Sequence, residues 1–173
     1  MMAAGRKLPL IAVAATGCLL VGVAGGDRFA PRLLFNTTAS APLGFYLLRP
    51  GAPVVGEWVA IKPPPDLARW LAIRHYLPLN VPLLKQVAAL PGQDVCGRGG
   101  VLSIDGEPVA RARASDRRGR ALTPFQECRR LVAGEIMFVN AQPDSLDSRY
   151  FGPLPLVGLV GRARPLWTWE ARR

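Results

Sequence analysis

A chain of 173 residues with 22 Lys and Arg against 12 Asp and Glu carries a formal net charge of +10. That length holds one domain of ordinary size plus a membrane segment, and a single histidine excludes multi-histidine metal sites. The positive balance suits an anionic partner (acidic lipid, nucleic acid or an acidic protein) or plain solubility, and does not choose among them.

Arg6 and Lys7 precede an uncharged run, residues 8–26, rich in Ala, Val, Leu and Gly. Its length is enough to span a bilayer. A cleaved signal peptide competes, because Val23-Ala24-Gly25 offers small residues near its end, but the run exceeds a usual signal core. The expectation is an uncleaved anchor: residues 1–7 in the cytoplasm, 8–26 across the membrane, and 27–173 as one domain outside.

Beyond the anchor, Asn36-Thr37-Thr38-Ala39-Ser40-Ala41-Pro42-Leu43-Gly44 sets a serine in a turn of small residues. Pro42 and Gly44 fix an abrupt change of direction just after it. From Phe45 the pattern is short strands punctuated by Gly and Pro: 44–48, then 58–61, closed by Pro63-Pro64-Pro65. Asp66 reads as the N-cap of a short helix running to about Tyr76 and stopped by Pro78. Residues 83–90 form the next strand, and alternation puts Lys85 on one apolar face with Leu83, Val87 and Ala89. Asp105-Gly106 joins two further strands, 101–104 and 108–112, as a hairpin. A basic connector follows, bearing Arg111, Arg113, Arg117, Arg118, Arg120, Arg129 and Arg130. Ile136-Met137-Phe138-Val139 is another apolar strand, and the tail carries Trp167 and Trp169. The chain contains no internal repeat.

A serine hydroxyl needs a neighbouring base before it is a useful nucleophile. His75, in an apolar helix-like stretch, reads as a packed or half-exposed structural residue. Lysine is the next candidate, and burial among apolar groups can bring its pKa to about 7 or 8. Lys85 is the one lysine in such a setting. The competing reading is a gatekeeper on an edge strand that keeps its ammonium in water. Asp144-Ser145-Leu146-Asp147-Ser148-Arg149 groups two acids, two hydroxyls and an arginine. Asp147 and Arg149 can pair and the serines can bond a lysine amine, or the stretch is a solvated turn. Cys18 lies in the apolar run. Cys96 and Cys128 form an even pair in an exported domain, which reads as a structural disulfide.

In this order the three stretches resemble the type I signal peptidase family: Ser-x-Pro after an anchor, a lysine strand before Leu-Pro-Gly, and Asp147-Ser148-Arg149-Tyr150-Phe151-Gly152-Pro153 near the end. Thr38-Ala39-Ser40-Ala41-Pro42-Leu43-Gly44-Phe45-Tyr46 and the stretch from Tyr76-Leu77-Pro78 to Leu90-Pro91-Gly92 look, more narrowly, like the TraF-type conjugal transfer peptidases. The resemblance implies a mainly β fold, a coiled antiparallel sheet assembly with one short helix plus the N-terminal transmembrane helix. It implies a Ser/Lys dyad in which Ser40 attacks and Lys85 is general base, with the Ser40 N–H and Thr38 at the oxyanion. Ser145 would orient Lys85, and Asp147 and Arg149 would hold the turn, with Asp147 as the aspartate the TraF group requires. No metal and no cofactor is implied. The partners implied are the inner membrane, a membrane-inserted conjugative pilin precursor as substrate, and other conjugative transfer proteins; nucleic acid is not among them. Catalysis would sit on the periplasmic side of a single-pass protein, and the acyl-enzyme would yield a linear or a head-to-tail cyclised pilin.

The sequence departs from general signal peptidases in Ser40-Ala41-Pro42 for Ser-Met-x-Pro, Gln86 after the lysine, and Val139-Asn140-Ala141 for the usual Gly-Asp-Asn. These differences favour a dedicated peptidase. The alternatives are a general type I signal peptidase and a non-catalytic, membrane-anchored component of the transfer apparatus.

Overall fold

The computed structural model describes residues 13–18 and 33–170, and the chain divides into two compact units, 1–32 and 33–173. In the first unit, 13–18 are helical. The rest of the expected span, 8–26, lies outside the described residues, and no helix among the described residues is long and apolar enough to cross a membrane.

The second unit is built from antiparallel strands. β1 (Leu33–Asn36), β2 (Leu43–Arg49), β3 (Trp58–Ile61), β4 (Leu83–Ala89), β9 (Glu135–Phe138), β10 (Leu154–Pro155) and β11 (Leu159–Trp169) form a seven-stranded sheet in the order β1-β2-β11-β3-β4-β9-β10. β5 (Asp94–Arg98), β6 (Val101–Ile104), β7 (Glu107–Arg111) and β8 (Cys128–Arg130) form a second sheet in the order β7-β6-β5-β8. Two helices accompany them, α1 (Pro65–Ile73) and the one-turn α2 (Ser148–Phe151).

Alternation along the strands divides the core. Val59 and Ile61 of β3 and Leu83 and Val87 of β4 meet Leu71 of α1 on one face, with Ile136 and Phe138 from β9. Ala60 and Leu84 point to the other face and pack with Tyr46, Leu48 and Ala163. A third cluster, Ala89, Val95, Leu102, Ile104, Leu131 and Met137, joins the small sheet to β4 and β9. Burying these side chains is what holds so loop-rich a domain together.

β11 carries much of the architecture. Its first part pairs with β3 and the remainder with β2, across register shifts at Leu159/Gly161 and Pro165/Trp167. The β2 contact is close: at Gly44 (φ +129°) a Cβ would lie 2.2 Å from the Trp167 carbonyl oxygen. Only glycine fits there.

The mainly antiparallel β reading and the expected hairpin at Asp105-Gly106 hold, and Leu83 and Val87 flank Lys85 on one core face, while Ala89, past a register shift, joins the third cluster. Four details differ. α1 starts at Pro65 without a side-chain cap, because proline at the first turn supplies the preset φ; Asp66 pairs with Arg69 instead. α2 is a second helix, too short to show periodicity. β4 is interior, between β3 and β9, so Lys85 is no edge gatekeeper. The basic connector is partly sheet: Ser115 bridges Ala121, and β8 pairs with β5, setting Cys128 opposite Cys96 in a disulfide.

Candidate active site

Ser40 sits in the turn between β1 and β2, a turn shaped by an asparagine. Asn36 Nδ2 donates to the carbonyls of Thr38 (2.9 Å), Ala41 (3.2 Å) and Pro42 (3.0 Å). Its Oδ1 accepts the Thr38 N–H at 3.1 Å and the Thr38 hydroxyl at 2.8 Å. Thr38 Oγ1 lies 3.4 Å from Ser40 Oγ, a contact longer than a good hydroxyl hydrogen bond. Buried Asn36 thus replaces the backbone pairing that the turn lacks. The Ser40 side chain stands half-buried at the junction of two clefts.

Lys85 is 3% exposed. Its Nζ donates to Ser145 Oγ at 2.9 Å. Burial pulls its pKa from 10.5 to about 8; nearby Asp147 pushes it up and Arg149 pushes it down. A lysine so placed holds a usable fraction of neutral amine near neutrality. Lys85 and Ser40 line the same cleft of about 380 Å³, walled by Leu34, Leu71, Leu77 and Leu146. Among the described residues no direct hydrogen bond joins them. Catalytic bonds in unliganded enzymes are often longer than in the reacting complex.

Asp147 and Arg149 form a buried ion pair at 2.7 Å, with side chains 0% and 3% exposed. Asp147 also takes the N–H groups of Asn140 and Arg149, and Arg149 Nη2 donates to the Asn140 carbonyl at 2.6 Å. Ser148 Oγ accepts the Phe138 N–H at 3.0 Å. Every buried charge here is hydrogen-bonded, the condition under which such a pair is tolerated. The stretch is therefore not a solvated turn.

Asn140 links the two halves. Its Nδ2 donates to the Ser40 carbonyl at 2.7 Å and its Oδ1 accepts the Gln86 N–H at 2.9 Å. One side chain thus ties the serine turn to the residue after Lys85, while Asp147 and Arg149 fix its backbone. Thr38, Ser40, Lys85, Ser145, Asp147 and Arg149 are all brought together. Asn36 and Asn140 were not among the expected site residues. Their signal was present: a polar residue at the end of one apolar strand, β1, and just beyond the end of another, β9, where a buried side chain must find partners.

His75 is exposed rather than packed, at φ +55° beyond the end of α1. It lines a second cleft with Ser40. Among the described residues no cluster of His, Cys, Asp and Glu is suited to a metal ion.

The site thus sets a buried lysine, held on a serine hydroxyl, in a cleft that a second serine also lines. The chain matches the model of the signal peptidase family, peptidase S26, over residues 19–169, and it belongs to that family. It is 36% identical to the conjugal transfer protein TraF of Agrobacterium fabrum (strain C58), over 95% of this chain and 96% of that one. Against the probable conjugal transfer protein TraF of Sinorhizobium fredii (strain NGR234) the identity is 34%, over 94% and 88%. A solved signal peptidase I from Enterococcus faecalis V583 superposes with a TM-score of 0.39 at 18% identity, covering 65% of this chain and 97% of that chain.

Proposed function

We propose that this chain is a membrane-anchored serine endopeptidase that matures a conjugative pilin precursor, with Ser40 as nucleophile and Lys85 as general base. The observation that carries the reading is Lys85: buried, with a pKa brought down to about 8, and held by Ser145 in the cleft that Ser40 lines. Neutral Nζ takes the Ser40 proton as Oγ adds to the scissile carbonyl. The ammonium then gives that proton to the departing amine, leaving an ester on Ser40. The Ser40 N–H donates to the oxyanion, since it has no protein acceptor among the described residues. Thr38 joins it only after turning its hydroxyl proton away from Asn36.

The ester has two fates. Water releases a shortened linear chain, and the pilin's own amine, held in place, closes a ring. The conjugal transfer names of the relatives and the departures from general signal peptidases around Ser40 support a pilin as the substrate. The anchor at 8–26 would set residues 27–173 in the periplasm beside the inner membrane. Exposed Trp167 and Trp169, with Phe35 beside Trp169, suit a lipid interface. Intact mass of the pilin precursor from cells carrying wild type, Ser40→Ala or Lys85→Ala tests the reading. Shortening with the wild type alone supports the peptidase, and a product one water lighter than the linear fragment adds the cyclase. Equal masses in all three reject it.

A further inference from the structure

Ser40 and Ser145 also face a larger cleft, of about 800 Å³, on which the acyl-transfer chemistry makes no demand. Four arginines line it, and they are not equivalent. Arg120 is fully engaged: its guanidinium pairs with Asp116 at 2.6 Å, donates to the Arg74 carbonyl at 2.6 Å and stacks 4.4 Å above Tyr76. Arg113 and Arg117 converge on the one carboxylate of Asp144, at 2.7 and 2.6 Å. Asp144 Oδ1 meets Arg113 as an ion pair at 2.7 Å without hydrogen-bond alignment, which leaves this oxygen without a well-directed donor. Arg118 sends its backbone N–H to Asp116, and its exposed side chain has no protein partner among the described residues. Glu170 is the remaining carboxylate of the lining, and it does not cancel the surplus.

The position of this surplus matters as much as its sign. Asp144 immediately precedes Ser145, the residue that holds Lys85. The cations therefore stand near Ser40 and Ser145, in a cleft that adjoins the leucine-walled groove through Ser40, Tyr76, Asp144 and Leu146. Asp144 already displays the preferred ligand, since a guanidinium fork matches a carboxylate. The volume suits a peptide segment.

We infer that this cleft binds a carboxylate of the substrate, in a segment flanking the scissile bond, with Arg118 as its donor and Arg113 beside it. The inference rests on the peptidase reading of Ser40 and Lys85. The carboxylate belongs either to an acidic side chain or to a free chain terminus, and both present the same two oxygens.

The test uses the full-length protein and peptides spanning the scissile bond. One series exchanges glutamate for glutamine at successive positions on both sides, and another exchanges a C-terminal acid for an amide. We expect one position, or the terminus, at which the acid is cleaved three- to tenfold better in kcat/KM, about what a partly exposed charge pair contributes. The first series identifies a side chain and the second a terminus. The preference should collapse in Arg118→Ala and invert towards a lysine peptide in Arg118→Glu, variants of an exposed residue that leave the core intact. Cleavage that depends on Ser40 yet ignores the acid at every position and at the terminus would overturn the inference. So would arginine variants that lose binding to phosphatidylglycerol vesicles while keeping the wild-type acid preference, which would assign the cleft to lipid headgroups. Cleavage surviving Ser40→Ala is a separate result, and it refutes the peptidase reading itself.

Discussion

Lys85→Met should make the protein more stable while abolishing its activity. The ammonium of Lys85 is buried at neutral pH, and lowering its pKa from 10.5 to about 8 measures the cost of keeping it there. That difference corresponds to about 3 kcal/mol. Methionine fills a similar volume without a charge. Its thioether leaves Ser145 Oγ without the 2.9 Å donor, which costs about 1 kcal/mol. The net gain at pH 7 is therefore about 2 kcal/mol, a large share of the ~5–15 kcal/mol typical of a domain. The gain depends on pH in a defined direction. Between pH 8 and 10.5 the unfolded chain binds the lysine proton and the folded chain does not, so wild-type stability rises with pH across that window. The penalty is complete below about pH 8 and lost towards pH 10.5, so the gap between variant and wild type should shrink to about zero near pH 10. Urea unfolding of both proteins at pH 7 and pH 10 reads it directly. A variant no more stable than wild type at pH 7, or a gap that stays constant between the two pH values, refutes the assignment of Lys85 as a buried, desolvated amine.

The same pKa predicts a pH–rate profile: kcat/KM should rise about tenfold from pH 7 to pH 9 with its midpoint near pH 8, whereas an ordinary lysine would still be gaining above pH 10. Asp147→Asn should destabilise by about 3–5 kcal/mol in thermal or urea unfolding, because Arg149 is left buried without its counter-charge. In the folded fraction of that variant the acid limb of activity should move to lower pH, since Asp147 is the group that favours the Lys85 ammonium. Gly44→Ala should lower the melting temperature by several degrees, as its Cβ would collide with the Trp167 carbonyl and no rotamer change relieves a backbone clash. Replacing both Cys96 and Cys128 by serine should cost about 3–4 kcal/mol under oxidising conditions and nothing in the presence of a reductant that already opens the bridge.

Much of the site could be read in the sequence because its parts carry local signals. A serine before proline and glycine, a lysine alternating with Leu83 and Val87, and a compact run of acids, hydroxyls and arginine each stand out at short range. The Lys85–Ser145 bond joins residues 60 positions apart, and resemblance rather than spacing brought them together. Strands at 58–61, 83–89 and 101–104 were legible from apolar runs bounded by turn residues. β5 and β8 were not, because Gly97 and paired arginines hide any alternation, and the pairing of Cys96 with Cys128 is what sets them side by side. Asn36 and Asn140 escaped for a related reason. An asparagine at a strand end looks like an ordinary turn residue until its partners, 100 positions away in the case of Ser40, are known. The arginines of the connector read as general basicity. Only the fold separates Arg120, which is structural, from Arg118, whose side chain is unpaired among the described residues.

The place of β11 in the sheet has a consequence for when activity can begin. Ser40 adjoins β2 and Lys85 lies on β4, reached through β3, and β11 is the strand that lies between β2 and β3. It is also the last of the described strands to leave the ribosome. Until residues 159–169 arrive, β2 and β3 have no strand between them, and the Ser40 turn meets the Lys85 strand only through Asn140 and side-chain packing. A chain arrested during synthesis, or clipped before β11, would hold both residues without a continuous sheet between their strands. The order of the strands thus ties completion of the cleft that Ser40 and Lys85 share to the arrival of the last described strand.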